Sequence, residues 1–506
     1  VTVVDRPRLA RAAVSDPIRR RRIGPALAVI SFVALVFLID AAPRISMPFG
    51  GSHDGRNAAL WASGARSIAE NGLEASRLGA VADERETYAH HPPGIYLETA
   101  ATRAIGGDSE TALRAPAWLG SLASIGLLWF LLRELGGSRV ATSSALALAV
   151  GSPMFLLYGP MLNHEALSLP FAIAALLILA RARHGNRDSP WLAGFVGLAA
   201  ALLSWEGVML AIAIGAIELV RWWRTRRLDP ATAAMTAASA AGLGLTVLWL
   251  WWANGGFAEM GTAYTRRAGS HGFGAADFVS SQITYLRWAF PVWSLVLGAL
   301  GLLIALRRGR DLPVVAVAAG VPAVYLVGFL SGSYYHTYWN FWLVIVVAIG
   351  VVTVADDVLS WSSSSTTRHR AVSVVVLAAS AGALLAGPRI QGVDAEAFVD
   401  GANGGAVVRS LDLPASQPAL LVWAGIGEPA WWIEYYTRRP YVVLRTDVDV
   451  QRAVAADPSQ TVLVWRLTTE LHRPGDYESL RAKAFVQHDS YAAVSVADLG
   501  AVVTAD

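Results

Sequence analysis

Eleven apolar runs, most of them close to the length of a bilayer crossing, commit this chain to a bundle of membrane helices. A crossing takes about 20 mostly apolar residues. The runs fall at about 23–42, 112–132, 139–158, 162–180, 191–206, 207–223, 231–253, 284–306, 313–331, 337–356 and 371–388. The fifth and sixth are short and share a polar hinge, Trp205-Glu206-Gly207. The segment 94–105 is too short to span and reads as a helix lying in the interface, with Ile95, Thr99 and Ile105 available for its apolar side. Of the 506 residues 54% are hydrophobic and only 16% charged, against about 25% charged in a soluble globule. Lipid therefore solvates most of this chain.

Arginines set the orientation. Alternating the runs places Arg19–Arg22, Arg133/Arg139, Arg181/Arg183/Arg187, Arg221/Arg224/Arg226/Arg227, Arg307/Arg308/Arg310 and Arg368/Arg370 on one face. Basic short loops mark the cytoplasmic side, so the N-terminus, residues 1–22, is expected there. Arg19–Arg22 before Ile23 mimics a secretion signal, but the long apolar run and the many spans after it read as an uncleaved first span. The opposite, extracytoplasmic face receives the loop 43–110, the turn 159–164, the loop 254–283, the turn 332–337 and everything after 388. The unusual polar residues all fall on that side.

The transmembrane domain is expected over 23–388 and a separate extracytoplasmic domain over 389–506. In the latter, Ala419–Ala424, Tyr441–Leu444 and Thr461–Trp465 read as strands. Glu428–Arg438, Val448–Ala456 and Tyr477–Ala484 read as helices, and the alternation predicts a small α/β unit. It has no glycine-rich phosphate loop and no nucleophile elbow. The absence of cysteine excludes disulfides, thiolate zinc sites and thiol nucleophiles. Every basic residue except Lys483 is arginine, a bias of genome composition, and the net charge of +3 forms no nucleic-acid patch.

Four groups can carry chemistry. Asp54 stands before a predicted helix that presents Ala58, Trp61, Ala62, Ala65, Ile68 and Ala69 on one face and stops at Asn71-Gly72. It is placed either to cap that helix or to take a proton from a hydroxyl as general base. His90-His91 precede tandem proline, whose fixed φ aims them at one place. They read either as a satisfied surface pair or as ligand contacts. Glu165, in Asn163-His164-Glu165, lies at the mouth of a span, where ionisable groups are functional candidates. Arg266, Arg267 and His271, with Tyr334-Tyr335-His336-Thr337-Tyr338, could bind a phosphate and a sugar, or contact lipid headgroups and form an interfacial aromatic belt.

These residues, in this order and on this side, resemble the GT-C superfamily of membrane glycosyltransferases, and within it the bacterial protein O-mannosyltransferase and aminoarabinose-transferase-like proteins. The resemblance covers about residues 23–350. It rests on Asp54 after the first span, on His91-Pro92-Pro93-Gly94-Ile95-Tyr96, and on Gly107-Asp108-Ser109-Glu110-Thr111-Ala112-Leu113-Arg114-Ala115-Pro116. The chain departs from the family at Gly55 and Ala58, where Glu and Tyr are common. The resemblance implies a polytopic α-helical membrane protein of GT-C type, with about 11 transmembrane helices and the small C-terminal α/β domain.

It further implies an inverting transfer from a sugar on a polyprenyl phosphate to a glycan, lipid or protein acceptor. Asp54 and Glu165 would be the catalytic pair, Asp54 as the base and Glu165 positioning acceptor or base. Arg56, His91, Arg266 and Arg267 would balance the departing phosphate, and His90, Tyr96, Tyr335 and His336 would contact sugar or acceptor. Some family members use a divalent cation, Mg2+ or Mn2+. No ligand spacing here singles out its holders, so a metal stays open. Two other classes compete: a flippase for a lipid-linked saccharide, which would carry ionisable residues along a path through its spans, and a non-catalytic envelope scaffold.

Overall fold

The computed structural model describes residues 24–81, 87–270, 272–309, 311–387, 393–423, 430–466 and 475–503. Among the described residues, six helices are long and apolar enough to cross a membrane alone: Gly24–Ile45, Glu110–Glu134, His164–Arg183, Pro230–Asn254, the segment Thr337–Ser362 and Thr366–Ala386. Arg139–Val150, Pro190–Leu203 and Leu312–Gly328 are shorter apolar helices. Large apolar side chains such as Leu119, Trp191 and Phe195 face outward, as lipid-facing positions do. The chain is an integral membrane protein.

The predicted run 284–306 is broken. Ala275–Ala289 and Val292–Arg308 meet at a 108° bend. Phe290 takes an extended conformation at the break, because the ring of Pro291 disfavours helical backbone in the residue before it. The pair makes at most one bent span, which brings the number of candidate crossings to seven. The predicted run 337–356 also begins differently, as a short turn Thr337–Asn340 followed by the helix Leu343–Ser362.

Serine punctuates the helix starts. The hydroxyls of Ser52, Ser109, Ser138, Ser152, Ser189 and Ser204 each accept from an amide in the first turn of the helix that follows. Each satisfies one of the orphan donors of a helix N-terminus. Ser204 is also the last residue before which Pro190–Leu203 ends. This single extended residue separates two helices and places Glu206 in the first turn of Trp205–Thr225, so the predicted hinge is a helix break with its own cap.

After residue 392 a helix, Val393–Arg409, leads into a five-stranded sheet. Its strands are β1 (Leu420–Trp423), β2 (Tyr441–Leu444), β3 (Thr461–Trp465), β4 (Val486–His488) and β5 (Tyr491–Ser495), in the order β2-β1-β3-β5-β4. The three predicted strands form a parallel core, with Leu421 beside Val462 and Val422 beside Val443. A hairpin of β4 and β5 extends it antiparallel. Helices Trp431–Thr437, Asp447–Ala456 and Asp476–Arg481 agree with the predicted ones.

Candidate active site

Asp54 sits in the first turn of His53–Ala75, and it is Ser52, not Asp54, that caps this helix, through a 3.2 Å bond from the Gly55 amide to Oγ. The aspartate is thereby free for another partner. That partner is Arg114, one turn into the helix that Ser109 caps. Its Nη2 lies 2.7 Å from Asp54 Oδ2. The same guanidinium donates to the Met47 carbonyl at 2.5 Å and to that of Ile45 at 3.4 Å, and lies over the Phe49 ring. Arg114 is only 1% exposed. A buried guanidinium needs its charge answered; Asp54 answers it here, and the bonds to Met47 and Ile45 let the same group fix the backbone that leads to the carboxylate.

A floor of rings adjoins the pair. His53 packs edge-on against His336 and Tyr338, at 5.4 Å between centroids in each case. Asn57 lies near Tyr338, without an aligned hydrogen bond from its amide nitrogen. Arg267 Nη1 is 3.2 Å from His336 Nε2, and its Nη2 is 3.4 Å from the Tyr88 hydroxyl. His91 lies 4.2 Å from His164, and the indole of Trp61 faces both rings while donating to Asn163 Oδ1 at 3.2 Å. Burial lowers His53 to about 4, with Arg56 nearby adding to the effect. Burial first, then the charges of neighbouring histidines and arginines, also hold His91 and His336 well below the ordinary histidine value. These imidazoles are neutral at pH 7, and positive charge at the floor comes from Arg56 and Arg267.

Beyond His164 the floor ends in acid. Glu165 and Glu206 are 2% and 1% exposed. His164 Nε2 stands 2.8 Å from Glu165 Oε1, though without the alignment of a hydrogen bond. Among the described residues no group of three or more His, Asp or Glu is placed to hold a metal ion.

The C-terminal unit closes over this end of the bundle. Glu110 accepts from Tyr436 at 2.7 Å and from Arg409 at 3.0 Å, and the Asp108 carbonyl accepts from Tyr435 at 3.0 Å. Tyr436 also receives the Phe49 amide at 2.8 Å. Backbone meets backbone where the Gly51 amide donates to Gly401, and a Cβ on Gly401 would stand 2.5 Å from the Ser52 nitrogen. The segment that delivers Asp54 is thus held by Arg114 on one side and by Val393–Arg409 on the other.

Of the residues singled out by sequence, Asp54, Arg56, His91, Glu165, Arg267 and His336 come together. His90 lies beside them, against Tyr88, and its carbonyl accepts from Trp205. Tyr96 is not in the floor. It is buried against Trp61, and its hydroxyl donates to the Tyr88 carbonyl at 2.9 Å, so it props the loop. Tyr335 also points elsewhere: it is exposed and packs on Tyr334 and Phe273. In the short turn its neighbours His336 and Tyr338 take the inward positions. The side chain of Arg266, and all of His271, lie outside the described residues. Arg114, His164 and Glu206 had no assigned role, and Tyr338 was read only as one member of the Tyr334–Tyr338 cluster. An arginine just inside an apolar span is a signal for the first of these, since such a charge must find a partner.

Residues 90–252 match the family described as dolichyl-phosphate-mannose-protein mannosyltransferase. The matched part contains His91, Arg114, Glu165 and Glu206 but not Asp54. Among solved structures, the chain is similar to ArnT from Cupriavidus metallidurans bound to undecaprenyl phosphate, at 15% identity over 94% of this chain and 98% of that one, with a TM-score of 0.56. It is also similar to an oligosaccharyltransferase of Archaeoglobus fulgidus, at 13% identity over 89% of this chain and 70% of that one, with a TM-score of 0.57. No curated protein matches it by sequence. At these identities the likeness to the solved structures is one of fold.

Proposed function

We propose that this chain, whose family segment and fold are those of the GT-C membrane glycosyltransferases, transfers a sugar from a polyprenyl-phosphate donor to an extracytoplasmic hydroxyl with inversion. The observation that carries the reading is the Asp54–Arg114 pair at the edge of a floor bearing Arg56 and Arg267. Two charges of opposite duty then stand close together: a fixed carboxylate for the attacking oxygen and guanidinium groups for a leaving phosphate. The undecaprenyl phosphate bound to ArnT supports this donor class.

In the proposed step the acceptor hydroxyl gives its proton to Asp54, whose Oδ2 is held by Arg114. The oxygen attacks the anomeric carbon from the side opposite the lipid phosphate. The bond from that carbon to the phosphate oxygen breaks, and the phosphate keeps the electron pair. Arg56 and Arg267 stabilise the charge it gains, and a phosphate needs no general acid to leave. His91 takes part as a neutral imidazole, by hydrogen bonding. The arginine-rich turns at the other end of the helices support an extracytoplasmic site.

The test is transfer in vitro. The purified protein, reconstituted with isotope-labelled undecaprenyl-phosphate mannose or arabinofuranose and a membrane-glycan extract, should yield a labelled product of inverted anomeric configuration. A retained configuration refutes direct displacement. Movement of the intact labelled lipid across vesicles, with no transfer, refutes the enzyme reading in favour of a flippase.

A further inference from the structure

Apart from His91, the acid end of the floor has no part in the transfer step, yet it gathers unusual groups. Both carboxylate oxygens of Glu165 and of Glu206, both ring nitrogens of His164, Nδ1 of His91 and the hydroxyl of Tyr325 are buried without an aligned hydrogen bond among the described residues. Glu206 has the Ser204 hydroxyl and its own amide nearby, but neither bond is aligned. Helix packing brings the groups together: Trp205–Thr225, which carries Glu206, packs against His164–Arg183, and Leu312–Gly328, which carries Tyr325, packs against both. His164 stacks near His91 and touches Glu165. They come from four separate elements, so no single helix terminus explains them.

A buried polar group left unpaired costs about 1–3 kcal/mol, and a whole cluster of them is a poor way to stabilise a fold. The cluster fits a ligand that brings several hydroxyls. Carboxylates only accept, while neutral imidazole and phenol both donate and accept, and each sugar hydroxyl can answer either kind. An anion is disfavoured beside two acidic side chains. The floor is therefore polar end to end, with guanidinium groups at the phosphate end and carboxylates at the other.

We propose that Glu165, Glu206, His91, His164 and Tyr325 form the subsite that reads the hydroxyls of the transferred sugar, with Glu206 as its specificity-determining residue. This rests on the reading of the donor as a polyprenyl-phosphate sugar. Glu206 stands in the first turn after the helix break at Ser204.

The experiment measures binding of three lipids to the full-length protein in nanodiscs: undecaprenyl phosphate alone, its mannosyl form and its arabinofuranosyl form. The wild type should bind at least one sugar lipid about tenfold more tightly than the bare lipid. Glu206→Gln should reduce that preference below about threefold and leave bare-lipid affinity unchanged, which also shows that the variant is folded. Tyr325→Phe, which removes one buried hydroxyl, should shift the preference in the same direction by less. Glu206→Gln with full preference, or with equal losses for bare and sugar lipids, overturns the subsite, as does a wild type with no preference for either sugar. A wild type that binds none of the three lipids overturns the donor reading itself.

Discussion

Arg114 and Asp54 form a buried ion pair, Nη2 to Oδ2 at 2.7 Å, across 60 residues of sequence. The arginine is the more deeply buried of the two, and it also ties down the carbonyls of Met47 and Ile45. Position 114 therefore holds both the aspartate and the approach to it.

Arg114→Ala should be costly, because it strands a carboxylate and two carbonyls. Removing one partner of a buried pair typically costs about 3–5 kcal/mol, and the melting temperature in detergent should fall sharply. Arg114→Lys is the sharper test. It keeps a positive charge but cannot make the forked set of bonds. The protein should fold, and transfer should drop about tenfold to a hundredfold, equivalent to about 1.4–2.7 kcal/mol of transition-state stabilisation. Wild-type turnover in Arg114→Lys would mean that the carboxylate needs no such alignment.

Gly401→Ala tests the clamp from the other side. The new methyl would stand 2.5 Å from the Ser52 nitrogen and 3.1 Å from that of Gly51, both of them backbone atoms with little room to move. The segment before Asp54 has to shift. We expect transfer to fall at least about tenfold with the C-terminal unit still folded, as read from hydrogen exchange in β1, β3 and β5. Unchanged activity would show that the domain merely rests on the bundle. Tyr436→Phe, which removes the bonds to Glu110 and from Phe49, should raise exchange in residues 48–52 first.

Acid should loosen the site. His53 stands at about 4 in the folded protein, against an ordinary value of 6.5, and His91 and His336 are shifted the same way. The unfolded chain takes up these protons first. The contribution of His53 is therefore complete above pH 6.5 and is lost as the pH falls toward 4, up to about 3 kcal/mol. The melting temperature should decline below pH 6.5, and His53→Gln should flatten the decline. His184 acts in the opposite sense: its hydrogen bonds to Glu134 and Asp311 raise it, so its contribution is present below pH 6.5 and fades as the pH rises through its folded value. A melting curve flat between pH 7 and 5 would contradict the neutral floor.

Much of this was legible in the chain. Runs of about 20 apolar residues dictate helices whatever surrounds them, and the predicted strands of the C-terminal unit stand where β1, β2 and β3 do. The bend at Phe290 was readable in Pro291 but was masked by uniform hydropathy on both sides of it. The β4–β5 hairpin is too short to carry a pattern, and Val393–Arg409, rich in Ala and Gly, declares its partner only through contact. In the site, the His-Pro-Pro and Gly-Asp-Ser-Glu motifs marked the right loops. They could not say that Arg114 grips Asp54, that Glu110 holds the C-terminal unit, or that Tyr335 turns outward while His336 turns in. Those facts depend on which elements meet in space.

The central claim is that Asp54 takes the acceptor's proton, and single-turnover transfer by Asp54→Asn tests it most directly. The amide keeps the shape of the carboxylate but cannot serve as the base. With undecaprenyl-phosphate sugar bound at wild-type affinity, the rate of the chemical step should fall about a hundredfold to ten-thousandfold. An Asp54→Asn protein that binds the donor and transfers at the wild-type rate would contradict the account.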